Sequence, residues 1–161
     1  MKIILLVLLL IQQPSAVFVH YDAFNDFTQI KTGKLYVLDT PAERMQVTFW
    51  TTCKGNQTVS CEPSPFASIG LLTKDDLQFS KSLMALADDE RFDLGEAVVL
   101  KTESQSVGQF HSLAVTVPAE AFQKFAKAKK LRMQLGGVIE FSFDAEQMAA
   151  IKELAQYLYH P

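Results

Sequence analysis

The sequence predicts an α+β domain: an antiparallel, meandering β-sheet with two helices towards the C-terminus. Three observations predict it. Segments that alternate apolar and polar residues recur between Phe27 and Val117, with turn-forming residues between them. Two segments with apolar residues at helical spacing follow, at 118–130 and 144–158. Between these, two alternating strands are joined by Gly136-Gly137, a pair that suits a two-residue hairpin turn.

The first strand signal runs from Phe27 to Leu38 and is broken by a turn or bulge at Thr32-Gly33. The clearest strand is Met45 to Cys53, and a polar loop from 54 to 65 precedes a returning strand at 66–72. Residues 75–82 form either a short helix or an irregular connection. In the Met45 strand, one face carries Met45, Val47 and Phe49, and the other carries Gln46, Thr48 and Trp50.

A hairpin or meander is predicted for 83–101, with Asp88-Asp89-Glu90 as a solvated turn. A turn at 105–108 and a strand from Phe110 to Val117 follow. That strand places Leu113, Val115 and Val117 on one face and Ser112, Ala114 and Thr116 on the other.

The C-terminal third begins with a helix, in which Pro118 suits the first helical position. A hairpin of strands 130–135 and 138–143 comes next, and Asp144 and Gln147 have capping-box spacing for a last helix. The expected core residues are Phe122, Phe125 and Ala126 in the first helix, Leu131, Met133 and Leu135 on one strand face, Ile139, Phe141 and Phe143 on another, and Met148, Ile151, Leu154, Ala155 and Leu158 in the last helix.

The first residues have the layout of a secretory signal. Lys2 precedes an unbroken apolar run from Ile3 to Ile11, and a polar stretch ending in Ser15-Ala16 follows. As a helix the run would span roughly 14 Å, about half of a bilayer core, which is too short for a transmembrane anchor. We therefore expect residues 1–16 to be a cleaved signal peptide and 17–161 to be one globular domain, periplasmic or secreted.

The charge balance is mildly acidic. The chain has a net charge of −3, and the part after residue 16 has −4, because Lys2 is lost and no acidic residue with it. Such a domain has no electrostatic reason to bind nucleic acid. Five basic residues lie between Lys124 and Arg132, but the helix dipole explains four of them, and a weak contact with an anionic lipid or cell-wall polymer is the alternative.

The two cysteines, Cys53 and Cys61, are expected to form a disulfide in an oxidising compartment. Closing so short a loop restricts the unfolded chain by roughly 2–3 kcal/mol in the entropy model. Two free, buried thiols are the alternative. The spacing is not the C-x2-C of redox or zinc motifs, so neither thiol chemistry nor a zinc site is predicted.

No catalytic, metal or cofactor constellation is predicted. His20, His111 and His160 are scattered, and His111 and Ser112 point to opposite faces of their strand. An acidic cluster does not have the spacing of a calcium loop. A hydrolase site assembled from distant residues stays open, because catalytic triads are defined by geometry and not by sequence position. The members of the acidic cluster are Asp88, Asp89, Glu90, Asp93 and Glu96.

Two residues near the cysteines bear on binding. Asn56 begins an N-glycosylation motif, Asn56-Gln57-Thr58, which we expect to be unmodified because the short leader and compact domain look bacterial. Trp50 lies on the polar face of its strand and is either packed under a loop or part of a ligand platform. If it faces solvent beside the Cys53–Cys61 loop, it is the best candidate binding surface.

From Phe110 to Leu158 the chain runs through a strand, the helix A-E-A-F-Q-K-F-A-K-A, the hairpin L-R-M-Q-L-G-G-V-I-E-F-S-F and a closing helix. This segment, about a third of the chain, resembles small uncharacterised periplasmic or secreted proteins of Gram-negative bacteria. The shared features are structural, so the resemblance implies an exported α+β protein and assigns no functional residue.

These observations lead us to expect an exported, non-enzymatic domain without a cofactor that binds a protein or a cell-envelope component. A hydrolase is the alternative, and a clustered histidine, acid and nucleophile in a cleft would favour it. A structural subunit of an envelope complex is a third hypothesis, which a large exposed apolar patch would favour.

Overall fold

The computed structural model describes residues 16–40, 43–56, 61–74 and 80–159, and confirms an α+β fold built on antiparallel strands. The signal predicted for 1–16 lies outside these residues except for Ala16, as do residues 75–79 of the ambiguous segment. The strands are β1 (Val17–Asp22), β2 (Phe27–Thr32), β3 (Leu35–Asp39), β4 (Arg44–Lys54), β5 (Phe66–Thr73), β6 (Ser82–Ala87), β7 (Glu90–Glu96), β8 (Val98–Gln105), β9 (Gly108–Thr116), β10 (Leu131–Leu135) and β11 (Ile139–Ser142), and the helices are α1 (Ala119–Lys127) and α2 (Ala145–Tyr159).

The described strands form two sheets. The seven-stranded sheet has the order β1-β2-β4-β5-β9-β8, and the four-stranded sheet has the order β11-β10-β6-β7. β2 pairs with the second half of β4 and β3 with its first half, so β2 and β3 lie end to end along the same neighbour. The predicted break near Thr32-Gly33 is therefore confirmed. At the break, the Gly33 N–H donates to the carbonyl of Ala16 at 3.1 Å.

The core lies between the two sheets and the helices. The alternation in β4 correctly predicts which face of that strand the core contains. Met45, Val47 and Phe49 are fully buried on one face of β4, which we call the inner face of the seven-stranded sheet. The Phe49 ring lies 5.4 Å from the ring of Phe122 in α1 and 6.1 Å from that of Phe143 after β11. The opposite face of the same sheet, the outer face, carries half-buried side chains along β4 and β5.

The β10–β11 loop has three residues, Gly136 to Val138, and not the predicted two, because Leu135 pairs with Ile139 and the second strand starts one residue later than expected. Gly136 and Gly137 have φ angles of 62° and 75°, which suit residues without a side chain. We expected the apolar residues of the two strands of this hairpin on separate faces, and this was wrong. Met133 pairs with Phe141, and Leu135 pairs with Ile139. Because directly opposite residues of an antiparallel pair point to the same side, both apolar sets face the core together.

α1 starts one residue later than predicted. Pro118 is the N-cap and not the first helical residue, since its ψ of 141° is extended, although its carbonyl accepts the N–H of Phe122 at 2.9 Å. The predicted core stripe of Phe122, Phe125 and Ala126 is buried, together with Ala121.

α2 begins with the predicted capping box. The Gln147 N–H donates to Asp144 Oδ1 at 2.8 Å, and the Asp144 N–H donates to Gln147 Oε1 at 3.0 Å. Four of the five predicted core positions in this helix are buried, and Leu158 is half-buried.

Candidate functional site

Trp50 lies on the outer face of the seven-stranded sheet, in the middle of a row of large side chains. The strand register places Phe18 opposite Lys31, Lys31 opposite Trp50, and Trp50 opposite Phe66. These four residues come from β1, β2, β4 and β5, and we call them the aromatic row. Four neighbouring strands make the row about 14 Å long across the sheet.

The aromatic row is only partly shielded from solvent. Phe18 is 56% exposed, and Lys31, Trp50 and Phe66 are half-buried. The Trp50 and Phe66 rings stack, with centroids 4.7 Å apart and planes inclined by 22°. Stacking fixes the orientation of both rings and leaves their outward edges available for contact with a ligand. The pair therefore forms a preorganised apolar surface.

On one side of the aromatic row the neighbouring side chains are small, whereas His20, Gln29 and Thr52 form the row on the other side. The adjacent row of the outer face runs from Thr48 through Ser68 and Ala114 to Val98. Because these side chains rise little above the backbone, the aromatic row stands out from a flat surface. Such a surface suits an extended or flat ligand better than a small molecule, which needs a concave site.

Phe66 also connects the aromatic row to a shallow groove of about 500 Å³ at the β8 edge of the sheet. The groove lies between β7 and the β8–β9 pair, and two of its apolar residues, Val98 and Leu100, are 64% and 61% exposed. Its other lining residues include Leu94, Ala114 and Thr116. Phe66 therefore links the stacked pair it forms with Trp50 to the exposed apolar residues at the β8 edge.

The turn between β1 and β2 carries a further exposed aromatic residue, at the end of β1 away from Phe18. Phe24 is 99% exposed, and its N–H donates to Asp22 Oδ1 at 2.9 Å. A hydrogen bond from the Asn25 side chain lowers the pKa of Asp22. The Tyr21 hydroxyl donates to Asp26 Oδ1 at 2.9 Å, and this hydrogen bond raises the pKa of Tyr21. These bonds order the turn that presents the Phe24 ring.

The disulfide predicted between Cys53 and Cys61 is present, and the alternative of free thiols is wrong. Cys53 is buried at the end of β4, on the inner face, three residues after Trp50. Next to the disulfide, the Thr51 hydroxyl donates to the carbonyl of Glu62 at 2.8 Å. These bonds anchor the returning chain beside the strand that carries Trp50. Asn56 is exposed in the turn after β4, and the rest of its glycosylation motif lies outside the described residues.

The histidines do not form a shared site among the described residues. His20 is exposed on the outer face of β1, whereas His111 is buried on the inner face of β9, four strand spacings or about 19 Å away along the sheet. His111 Nδ1 lies 3.2 Å from the Thr102 hydroxyl, and its Nε2 is buried without a hydrogen-bond partner. In the described part of the chain, no carboxylate hydrogen-bonds to this ring, as a triad would require. His160 lies outside the described residues.

Three residues of the acidic cluster, Asp88, Glu90 and Glu96, have hydrogen-bond or ion-pair partners within the structure. Asp88 accepts the N–H groups of Lys129 and Lys130, at 3.0 and 2.9 Å. Glu90 pairs with Lys124 at 3.0 Å, and Glu96 accepts the Ser80 hydroxyl at 2.8 Å. Within the described ranges, no three His, Cys, Asp or Glu side chains are placed to hold a metal ion.

Two of the five basic residues between Lys124 and Arg132 have carboxylate partners. Lys124 pairs with Glu90, and Arg132 pairs with Glu140 at 3.1 Å. Arg132 also borders a groove of about 290 Å³ on the outer side of the four-stranded sheet, together with Arg91. Arg91 Nη2 lies 3.7 Å from the sulfur of Met84. Two of the five positive charges are therefore paired locally, and Arg132 lies on β10 and not on α1.

Sequence reasoning identified Trp50 but missed the other members of the aromatic row. Phe18 belongs to β1, which was not predicted, and Phe66 and Lys31 become neighbours of Trp50 only through the strand order. The alternation around Trp50 carried a usable signal for the outer face. Nothing in the sequence indicated which strands would lie beside it.

Neither described helix has the length and apolarity needed to cross a membrane. Comparisons with protein-family models, curated proteins and solved structures find no match to this chain.

Proposed function

We propose that this protein is a non-enzymatic binding domain, periplasmic or secreted, that takes a protein or a cell-envelope component on the outer face of its seven-stranded sheet. The observation that carries the proposal is the aromatic row, a preorganised set of large side chains on a flat and partly exposed surface. Trp, Tyr and Arg supply much of the binding energy at protein interfaces, usually near the centre of the contact.

The disulfide supports the location. Stable disulfides form in oxidising compartments and are rare in the cytosol, so the bond between Cys53 and Cys61 indicates a site of action outside the cytoplasm. The apolar leader predicted as a signal peptide agrees with this, and export is part of the proposal.

The surface is tested by placing a photoreactive benzoylphenylalanine at Phe18, at one end of the aromatic row, and cross-linking in cells. A matched control carries the same group at Val138, which is 64% exposed at the turn of the β10–β11 hairpin. We expect a specific adduct from position 18 and none from position 138. Adding Trp50→Ala should weaken the interaction by about 30-fold, because losing a central aromatic side chain costs about 2 kcal/mol or more.

The two kinds of ligand give different results. A defined polypeptide adduct identifies a protein partner, whereas co-sedimentation with purified peptidoglycan sacculi that depends on Trp50 identifies an envelope polymer. Circular dichroism establishes that the Trp50→Ala variant is folded. Equal cross-linking from positions 18 and 138, or binding that Trp50→Ala leaves unchanged, contradicts the proposed surface.

A further inference from the structure

β8 is an exposed edge strand. It pairs with β9 on one side, no described strand pairs with its other side, and all eight of its residues are exposed. An unpaired strand edge offers a row of N–H and C=O groups that can continue a sheet with another chain.

The charges on β8 favour one kind of neighbour. Lys101 and Glu103 are 62% and 45% exposed and form an ion pair of 2.6 Å. Both lie on the outer face, because they pair with Ser112 and Phe110 of β9. A strand with a positive and a negative side chain two residues apart on one face is complementary to an antiparallel copy of itself.

The register of such a pair follows from symmetry. In an antiparallel pair, directly opposite residues both point their N–H and C=O groups towards the other strand or both point them away. Since these directions alternate along a strand, a two-fold axis between two identical strands must pass between the two copies of one residue. An axis at Lys101 opposes two lysines, and an axis at Glu103 opposes two glutamates. An axis at Thr102 instead places Lys101 opposite Glu103 of the second copy, twice. Like charges directly opposite are unfavourable, so the pairing centred on Thr102 is favoured.

We propose that two copies of this protein associate through their β8 strands, antiparallel and centred on Thr102. In such a dimer, the six strands in the order β1-β2-β4-β5-β9-β8 of each copy join into one continuous sheet. A bulge between Val99 and Lys101 interrupts regular pairing at the start of β8, so in a pairing centred on Thr102 the regular part spans only Lys101 to Glu103 of each copy. Because this contact is short, the dimer is reversible and depends on protein concentration.

The dimer bears on the aromatic row without depending on the proposed function. A two-fold axis perpendicular to the sheet keeps both outer faces on the same side. Seven strand spacings separate β4 from its copy, so the two Trp50 residues are about 34 Å apart in the direction across the strands. Trp50 is level with Thr116 of β9, five residues from the level of the axis at His111, so the two copies are also offset by about 33 Å along the strands. A partner or polymer with a repeated element would then meet two rows at once, and its apparent affinity would rise through multivalency.

The experiment measures self-association of the purified protein by sedimentation velocity over a concentration series, for the unchanged chain and for Lys101→Glu and Glu103→Lys. We expect a monomer–dimer equilibrium in the unchanged chain. Each single variant should weaken it at least about tenfold, because two cross-strand pairs become like-charged at once. The double variant should restore association.

Mixing the two single variants gives the decisive measurement. Neither single variant retains the ion pair within its own strand. In a mixed dimer, however, each Glu of one copy lies opposite a Lys of the other copy, whereas a self-paired dimer brings like charges together. Native mass spectrometry should therefore detect about tenfold more mixed dimer than self-paired dimer. Lys124→Glu and Glu90→Lys make the same charge changes at another exposed ion pair, and should behave as the unchanged chain.

Three results overturn the proposal: a monomer at all concentrations, a dimer that the β8 variants leave unchanged, or equal mixing in the β8 and control pairs. Circular dichroism of each variant separates loss of association from loss of folding. Because the readout is self-association, failure of this proposal leaves the proposed binding function standing, and the reverse also holds.

Discussion

At the scale of single residues, Tyr159 connects the end of α2 to the chain that follows the disulfide. Its hydroxyl donates to the carbonyl of Pro63 at 2.7 Å and lies 3.4 Å from that of Ala119. Partial burial raises the pKa of Tyr159 to about 12. The protonated hydroxyl is therefore favoured by the folded state, both as a hydrogen-bond donor and as a neutral group.

This gives a pH dependence with a definite sign. Because the pKa is raised from 10.0 to about 12 on folding, the contribution is complete below pH 10 and is lost as the pH rises towards 12. We expect Tyr159→Phe to cost about 1 kcal/mol of unfolding free energy at pH 7, the usual value of one hydrogen bond. The difference between variant and unchanged protein should shrink at pH 11. Urea unfolding at both pH values measures it, and a difference that grows with pH would refute the assignment.

Which side of a strand a residue occupies could be predicted from the sequence. The alternation in β4 assigned Phe49 to the core and Trp50 to the opposite face, because the side-chain period of a strand is two. The stacking partner of Trp50 could not be predicted. Phe66 reaches it only through the register of β5 on β4, which depends on contacts distant in sequence.

At the scale of secondary-structure elements, the start of α2 is specified locally. The capping box between Asp144 and Gln147 satisfies two N–H groups that otherwise lack partners. Gln147 also donates through Nε2 to the carbonyl of Tyr36 in β3 at 2.8 Å, which joins the helix start to the seven-stranded sheet. One residue therefore stabilises both the helix and its docking.

We expect Asp144→Ala to lower the unfolding free energy by about 1 kcal/mol, the typical cost of losing an N-cap side chain. Gln147→Ala should cost more, because it removes the contact with β3 as well. Thermal unfolding of both variants tests this ordering. Gln156→Ala, at an exposed position later in α2, serves as the control and should change stability little. A smaller loss for Gln147→Ala than for Asp144→Ala would refute the docking role.

Elements with strong local signals were predicted well, and those without them were not. Both helices and the glycine turn of the β10–β11 hairpin follow from spacing and backbone preference. β1 was missed because its burial pattern does not alternate: Val17 is buried, and the next four residues are exposed. As an edge strand, β1 has too few neighbours to bury every second residue.

At the scale of the whole molecule, the disulfide and the leader lead to one expectation about the native protein. We expect the intact mass of protein from its natural source to correspond to a chain that starts near Val17 and has both cysteines oxidised. The proposed export would remove the leader and expose the thiols to an oxidising compartment. A native chain that retains Met1, with two reduced thiols and located in the cytosol, would refute export. Reduction and alkylation before a second mass measurement provide the control for the sulfur state.

The division of the strands into two sheets could not be read from the sequence. Leu83 and Leu113 are both buried in alternating strands, and the alternation cannot tell that they belong to different sheets. That assignment depends on β9 returning to pair with β5 while β6 and β7 join the other sheet. Such pairing is non-local, so local preferences do not determine it.

The pairing of β5 with β9 has a consequence for how the chain acquires its structure. β5 ends at Thr73 and β9 begins at Gly108, so the seven-stranded sheet stays incomplete until that distant segment has been synthesised and delivered. A nascent chain that stops short of β9 leaves β5 as an open template for aggregation. Closing so long a loop is slow, because the entropic cost of bringing its ends together is incurred before the contacts between them form.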